Sequence, residues 1–159
     1  MKKIRVYFFI ACSWSCLNAQ DWQALPSFPG VERDDATGFV IGDDLFIGTG
    51  LSPWWSALAD FYRYQSATNQ WINAAPLPSG AERQYAAGFT LNASGYVFGG
   101  YNGVDYLNDM WRYEPSADTW LLSDSLPSFG RSGAASFVLN NRLYLLGGKH
   151  AAGAATDEV

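Results

Sequence analysis

The feature that most constrains this sequence is a set of motifs that recurs about every 49 residues. Arginine, glycine and tryptophan each return in the same order at this interval: Arg33, Arg83 and Arg131; Gly50, Gly100 and Gly148; Trp22, Trp71 and Trp120. Several positions that keep one order and one period indicate tandem structural repeats. Each repeat is then a single supersecondary unit that needs neighbours to bury its apolar face.

Each repeat begins with two predicted strands. These are apolar runs separated by turn residues: 36–41 and 45–47, 86–91 and 96–98, 134–139 and 143–146. Aromatic residues make up 16% of the chain and 16 glycines punctuate it, while no long stretch has apolar residues at helical spacing. Short aromatic strands with regular turns predict an all-β fold. A period of this length, with four short strands, is typical of one blade of a β-propeller.

The second half of each complete repeat carries alternating aromatic side chains. A third strand is predicted at 60–64 and 109–113, and a fourth strand is built on Trp71 or Trp120. Because side chains alternate between the two faces of a strand, these aromatic residues share a face. We predict that they fill the layers between adjacent blades: Tyr62, Tyr64, Trp71, Trp111, Tyr113 and Trp120.

The sequence begins and ends within repeats. Residues 22–30 match the repeat tails at 71–80 and 120–130, so we expect them to form the last strand of a blade whose first strands are missing at this end. In a closed ring such a strand pairs with the final blade and leaves no open edge. The predicted organisation is a signal peptide, an outer strand of a split blade, two repeats and a truncated repeat: 1–19, 20–30, 31–80, 81–130 and 131–159.

The first residues have the anatomy of a secretory signal peptide. Lys2, Lys3 and Arg5 precede an apolar core that ends near Cys12, and the small Ala19 closes the segment. The apolar run is too short to span a bilayer as a stable helix. We therefore predict a chain that is secreted, periplasmic or on the cell surface, without a transmembrane segment. Lipid attachment at Cys12 is the alternative.

Removal of this leader changes the charge and the redox chemistry of the chain. Cys12 and Cys16 both lie in it, so the remainder holds no cysteine and no disulfide is expected. The remainder has 7 Lys and Arg residues against 15 Asp and Glu residues, a net charge of −8. Phosphate backbones are bound by clustered Lys and Arg, so nucleic acid is not an expected partner.

Together these motifs resemble the kelch repeats of the galactose-oxidase-like propeller superfamily. The second repeat shows them in order: Gly88-Phe89 before an apolar run, Gly99-Gly100, Asn108-Asp109, Trp111, Tyr113, Pro115, and Asp118-Thr119-Trp120. The resemblance assigns a structural role to the recurring positions: Gly50, Gly99, Gly100, Gly147, Gly148, Asp60, Asp109, Tyr64, Tyr113, Trp22, Trp71 and Trp120. One departure is Thr49, which replaces the first glycine of a pair.

The other departure is that the third repeat stops at Val159, just inside its third strand. Propellers typically have four to eight blades. The chain is therefore expected to be the N-terminal part of a longer bacterial secreted kelch protein. The rival hypotheses are that copies associate to complete a ring, or that the chain is a truncated product without function.

Candidate ligand-binding residues lie on one face of the predicted ring. Loops alternate between the two faces, so the arginine of each repeat shares a face with the long loop between its second and third strands. The candidates are the repeated arginines and loop aromatics: Arg33, Arg83, Arg131, Trp54, Trp55 and Tyr101. Aromatic rings suit sugars or peptide side chains, and arginine suits carboxylates. The alternative for the arginines is a structural brace against Asp60, Asp109 or a backbone carbonyl.

The residue inventory excludes most catalytic sites. A single histidine, His150, cannot form a multi-histidine metal site, and no cysteine nucleophile or phosphate-cradling loop follows the leader. We expect no metal, no cofactor and no catalytic residue. The predicted function is an extracytoplasmic binding module for protein or carbohydrate ligands. The resemblance also leaves open a carbohydrate-active enzyme, since the superfamily includes sugar oxidases and sialic-acid mutarotases.

Overall fold

The computed structural model describes residues 24–127, 129–151 and 155–156. These residues form ten β-strands in antiparallel sheets. The first sheet contains β1 (Thr37–Ile41), β2 (Asp44–Gly48), β3 (Phe61–Gln65) and β4 (Gln70–Ala74), hydrogen-bonded in that order. The second repeats this order with β5 (Ala87–Leu91), β6 (Ser94–Phe98), β7 (Asp109–Glu114) and β8 (Thr119–Ser125). The third pairs β9 (Ala135–Leu139) with β10 (Arg142–Leu146).

The prediction of an all-β chain of four-stranded blades is confirmed. Two-residue turns join the first two strands of the second and third repeats, where Leu91 pairs with Ser94 and Leu139 with Arg142. Their central residues have left-handed backbones, with φ of 50° at Asn92, 57° at Ala93 and similar values at 140–141. Such turns match the twist of the strands that they join.

The inner strands β1, β5 and β9 lie side by side, as blades do when they converge on an axis. The Ser136 hydroxyl of β9 donates a 3.1 Å hydrogen bond to the Gly88 carbonyl of β5. A Cβ atom on Gly88 would collide with the carbonyl oxygen of Gly38 in β1. The small residues at the start of each repeat therefore permit this close approach.

Aromatic side chains fill the space between the first and second blades. Phe46 of the first blade lies 5.2 Å from Tyr113 of the second, and Phe61 lies 4.8 Å from Trp120, measured between ring centroids. All four rings are buried. The predicted layer is thus confirmed for Tyr113 and Trp120. The other predicted members are half-buried: Tyr62, Tyr64, Trp71 and Trp111.

Residues 24–30 pack against the outer edge of the first blade. The Trp71 indole donates a 3.0 Å hydrogen bond to the carbonyl of Pro26, just as the Trp120 indole donates a 2.8 Å bond to that of Ala75. Phe28 stands edge-on to Trp71 at 5.4 Å. This segment therefore occupies the place of a preceding repeat tail, although it forms no β-strand. Trp22, the predicted signal peptide and both cysteines lie outside the described residues.

Among the described residues, the third repeat has a flank that no other segment covers. Phe137 is 58% exposed, whereas its equivalents Phe39 and Phe89 are 5% and 7% exposed because a following blade covers them. The predicted third strand of this repeat begins at Asp157, outside the described residues. Within the described ranges, no helix is long and apolar enough to cross a membrane.

Thr49 takes the same backbone conformation as the glycines that it replaces. Its φ is 58°, against 60° at Gly99 and 65° at Gly147. Its side chain is fully buried, and no hydrogen-bond partner for its hydroxyl lies among the described residues. A β-branched residue in the left-handed region is strained, so the first blade carries a local cost that its siblings avoid.

Candidate functional site

The loop face is built from one backbone arrangement that repeats in each unit. In each repeat, one residue follows the second position of the glycine pair and another follows the repeated arginine. The backbone amide of the first residue donates a hydrogen bond to the backbone carbonyl of the second. These bonds join Leu51 to Asp34 at 3.0 Å, Tyr101 to Gln84 at 2.9 Å, and Lys149 to Ser132 at 2.8 Å. The backbone that carries these side chains therefore has the same arrangement in all three repeats.

Backbone hydrogen bonds also link successive repeats at this face. The Tyr85 amide donates to the Asp35 carbonyl at 3.1 Å, and the Gly133 amide donates to the Tyr85 carbonyl at 2.8 Å. All three residues have left-handed backbones, with φ of 53°, 55° and 66° from Asp35 to Gly133. A bulky Tyr in this conformation is unusual, and such conformations cluster at functional sites.

A cavity of about 840 Å³ lies on this face and is here called the mouth cavity. It is lined by residues of all three repeats: Leu51, Trp55, Gln84, Tyr85, Tyr101, Gly103, Tyr106, Ser132, Gly133, Gly148, Lys149 and Ala155. The rings of Tyr101 and Tyr106 lie 5.1 Å apart, and the Tyr101 hydroxyl donates a 2.7 Å hydrogen bond to the Gly103 carbonyl. Aromatic walls with a few placed polar groups are typical of small-molecule sites.

The mouth cavity combines one cation with a hydrogen-bonded tyrosine. Lys149 is exposed and lines the cavity. A hydrogen bond from the Tyr85 hydroxyl to Asp35 raises the pKa of Tyr85, and the nearby negative charges of Asp35 and Asp34 add to this effect. Tyr85 is therefore a neutral hydroxyl at physiological pH.

A smaller cavity of about 340 Å³, here called the side cavity, lies next to the first. Its lining is acidic and aromatic: Glu32, Arg33, Asp34, Leu51, Ser52, Pro53 and Trp55. Leu51 and Trp55 line both cavities. The two cavities are therefore neighbours that share a wall.

Trp55 is held by a tight turn. Its amide donates a 2.9 Å hydrogen bond to the Ser52 carbonyl, and the buried Ser52 also exchanges backbone and side-chain hydrogen bonds with Ser56. Trp55 has a φ of 60° and is 85% exposed, while the adjacent Trp54 is 74% exposed. The turn therefore displays two large rings to solvent, and only Trp55 lines the cavities.

The guanidinium of Arg83 is fully buried within its own blade. It forms two hydrogen bonds with the Asp109 carboxylate, at 2.8 and 2.9 Å, and others with the carbonyls of Gly99 and Ala81. Burial alone would raise the pKa of Asp109, but the hydrogen bonds and charge of Arg83 outweigh it and lower that pKa. These contacts match the alternative role that the sequence suggested for the repeated arginines, which is a structural brace.

The other two repeated arginines have equivalent places. Arg33 binds both carboxylate oxygens of Asp60, at 2.6 and 2.7 Å, and the Thr49 carbonyl at 3.0 Å. Arg131 is buried and donates to the Gly147 carbonyl at 3.4 Å. Arg33 lines the side cavity, whereas Arg83 and Arg131 line neither cavity. The ligand-binding role predicted for these arginines remains a prediction.

The structure brings together only part of the predicted site. Trp55 and Tyr101 meet at the mouth cavity, and Trp54 stands outside it. Sequence reasoning missed Tyr85 and Lys149, whereas Tyr106 lies in the loop that it placed on this face. Tyr85 follows the repeated arginine by two positions, and that register was the signal that could have found it. In the described part of the chain, no group of three or more His, Cys, Asp or Glu residues is arranged to hold a metal ion.

A family model described as the Kelch motif matches residues 96–125, which cover most of β6, β7 and β8. A solved structure of YjhT matches 79% of this chain with a TM-score of 0.67 and 27% sequence identity. This chain carries a Kelch motif and folds as blades of a kelch-type β-propeller. The predicted resemblance is thereby confirmed.

Curated relatives of this kelch chain carry two kinds of name. N-acetylneuraminate epimerase of Shigella sonnei is 30% identical over 137 residues, which are 82% of this chain and 35% of that protein. Human Kelch-like protein 35 is 28% identical over 141 residues, which are 89% of this chain and 23% of that protein. The chain thus spans about a quarter to a third of these relatives' length, and 37% of the YjhT chain.

Proposed function

We propose that this kelch chain is a carbohydrate-binding module and that the mouth cavity is its ligand site. The observation that carries the proposal is the cavity itself, where aromatic rings from two loops line the same space as polar side chains from the second and third repeats. The apolar face of a sugar packs well on a tyrosine or tryptophan ring, and its hydroxyls need donors and acceptors nearby. This kelch chain offers both on a rigid frame.

Each side chain has a separate role in this proposal. Tyr101 and Tyr106 supply the ring surface, and Trp55 supplies a second ring at the rim. Tyr85 and Gln84 supply hydrogen bonds, and Lys149 supplies a positive charge for a ligand carboxylate or an electron-rich hydroxyl.

The proposed location is extracytoplasmic. Lys2, Lys3 and Arg5 before an apolar core, and Ala19 at its end, support export through a signal peptide. Fractionation of cells that express the full chain, with mass spectrometry of its N-terminus, tests this proposal. An intact N-terminus in the cytoplasmic fraction would contradict it.

The binding test uses the full chain and a panel of soluble mono- and oligosaccharides, with Kd measured by NMR titration. The variant Tyr101→Ala should weaken binding of any ligand found by about two- to tenfold, because about 0.5–1.5 kcal/mol of aromatic contact is lost. The matched control Tyr144→Ala changes a tyrosine on β10 outside both cavities and should leave Kd unchanged. Absence of binding across the panel, or equal loss in both variants, would overturn the proposal.

A second candidate function is conversion of N-acetylneuraminate. Two observations favour it: relatives named N-acetylneuraminate epimerase at 30% identity, and a cation, Lys149, in the mouth cavity. The test is an anomer-conversion assay on N-acetylneuraminate with the full chain and with Lys149→Met. Turnover that falls in the variant would support catalysis at this site, and an uncatalysed rate would exclude it.

A protein ligand is the other class of partner that the sequence predicts. Trp54 favours it, since this ring is 74% exposed and lines neither cavity. Exposed tryptophans are enriched among residues that dominate protein interfaces. Pull-down with Trp54→Ser beside the parent chain tests this surface separately from the mouth cavity.

A further inference from the structure

We infer that the ligand is a linear oligosaccharide of at least two units. Its outer unit occupies the side cavity and carries no negative charge. The inference rests on the proposed carbohydrate-binding function and adds the length and charge of the ligand. A single sugar in the mouth cavity would leave the side cavity without a role.

The shared wall is the first observation behind this inference. Leu51 and Trp55 line both the mouth cavity of about 840 Å³ and the side cavity of about 340 Å³. A ligand that leaves the mouth cavity past Trp55 enters the side cavity directly. The smaller volume lies near the lower end of the usual range for small-molecule pockets, which suits one further sugar unit.

The rigidity of Trp55 is the second observation. The Ser52–Ser56 turn fixes its backbone through a 2.9 Å bond to the Ser52 carbonyl and a 3.2 Å bond from the Ser56 amide to the Ser52 hydroxyl. The ring is 85% exposed and has no covering side chain to displace. Because the backbone under Trp55 is already ordered, only the side-chain torsions lose freedom on binding, and more of the contact energy of the ring contributes to affinity.

The charge of the side cavity is the third observation. Glu32 and Asp34 are exposed and line it. Arg33, which is the one basic residue among the described residues that line it, already pairs with Asp60 at 2.6 Å, so its charge is balanced. Carboxylates accept hydrogen bonds from sugar hydroxyls and repel a ligand carboxylate. The outer unit is therefore neutral or positively charged.

The mouth cavity differs from the side cavity because a cation lines it. Lys149 lines it and Glu32 does not. An acidic sugar is therefore compatible with the inner position and unfavourable at the outer one. In a ligand that has one acidic unit, that unit therefore lies in the mouth cavity and an uncharged unit lies in the side cavity.

The test compares ligand lengths and charges on the full chain. Chito-oligosaccharides and malto-oligosaccharides of one to four units are the neutral probes, and oligogalacturonides of the same lengths are the acidic ones. We expect Kd to fall by about tenfold between one and two units in the series that binds, as for about 1.4 kcal/mol of added contact. We expect a smaller gain, or none, for the acidic series.

Two variants with matched controls locate the effect. Trp55→Leu should abolish the gain from the second unit, so that affinity for two units falls by more than affinity for one, whereas Trp54→Leu should change neither affinity. The double variant Glu32→Gln, Asp34→Asn should restore the length gain for the acidic series. Asp43→Asn, in the exposed β1–β2 turn, is its control and should not.

The outcomes separate this inference from the proposed function. Equal affinity for one unit and for longer chains, or a length gain that Trp55→Leu does not remove, overturns the inference alone. A length gain that is the same for neutral and acidic series overturns the charge assignment. No binding by any series at any length overturns the proposed function and the inference with it.

Discussion

At the scale of single residues, the repeated arginines serve the blade by their geometry. The guanidinium of Arg83 has no exposed surface and joins the start of β7 to the backbone at Gly99 and Ala81. Arg33 makes the equivalent contacts with Asp60 and Thr49. A bidentate arginine–carboxylate pair with added carbonyl contacts fixes both strands and loops in place. The same residue type at the same register therefore answers one structural need in the first two repeats.

We predict that Arg83→Ala lowers the free energy of unfolding by about 3–5 kcal/mol, because it leaves the Asp109 carboxylate and two carbonyls without their partner. Urea unfolding followed by tryptophan fluorescence measures the change. The control Arg142→Ala alters an exposed arginine of β10 and should stay within about 0.5 kcal/mol of the parent. A stable Arg83→Ala variant that binds ligand weakly would instead assign this arginine to the ligand site.

The ion pair between Arg83 and Asp109 predicts that the free energy of unfolding depends on pH. Because the folded-state pKa of Asp109 is lowered, its contribution to stability is present above the unfolded pKa of about 3.9 and is lost as the pH falls through the folded value. We expect the free energy of unfolding to fall below about pH 4. The variant Asp109→Asn should be less stable at neutral pH and less sensitive to acid. Parallel pH curves for the two proteins would contradict this assignment.

At the scale of strands and turns, the hairpin turns show which residues have a strained backbone. The β5–β6 turn places Ala93 at φ of 57°, where the β9–β10 turn has Asn141 at 59°. Asparagine and glycine tolerate this conformation, and alanine does so at a cost. The strand pairs nevertheless keep their register on both sides of the turn. Packing of the whole blade therefore overrides an unfavourable turn residue.

We predict that Ala93→Gly raises the free energy of unfolding by about 0.5–1 kcal/mol, because glycine removes the strain at positive φ. Thermal and urea unfolding measure it. The control Ala67→Gly changes an exposed turn alanine without positive φ, and it should lower stability slightly through the entropy of the unfolded chain. Equal effects in both variants would show that backbone strain at residue 93 is not the cause.

At the scale of the whole molecule, the two flanks of the blade stack differ. Residues 24–30 partly cover the first blade, where Phe28 contacts Tyr62 and Trp71. The third repeat has no such cover among the described residues, so Phe137 and Tyr144 are 58% and 38% exposed. Apolar surface of this kind is prone to association with another apolar face.

We predict that the purified chain associates in a concentration-dependent way through this flank. Light scattering should show a mass above that of the single chain, and Phe137→Lys should reduce it, because a charge on the flank opposes its burial. The control Trp54→Lys changes an apolar side chain that is 74% exposed on the loop face and should not reduce association. A monodisperse single chain at every concentration would contradict the prediction.

The repeat period by itself determined the strand order, the four-stranded blades and part of the layer between them, namely Tyr113 and Trp120. This was possible because each motif residue answers a local need: glycine at positive φ, alternating aromatics on one face, and tryptophan reaching back to the preceding tail. The pairing of Arg83 with Asp109 was only one of two readings, because spacing of 26 residues shows neither burial nor contact.

Only the tertiary structure decided the candidate site. Tyr85, Tyr106 and Lys149 come from separate loops, and they meet because blades converge on one axis. It also separated Trp55, which forms the wall between two cavities, from Trp54, which does not. Neighbours in sequence can face different surfaces when a tight turn rotates the backbone between them. Local sequence sets the blade, whereas the meeting of loops depends on how the blades are arranged in space.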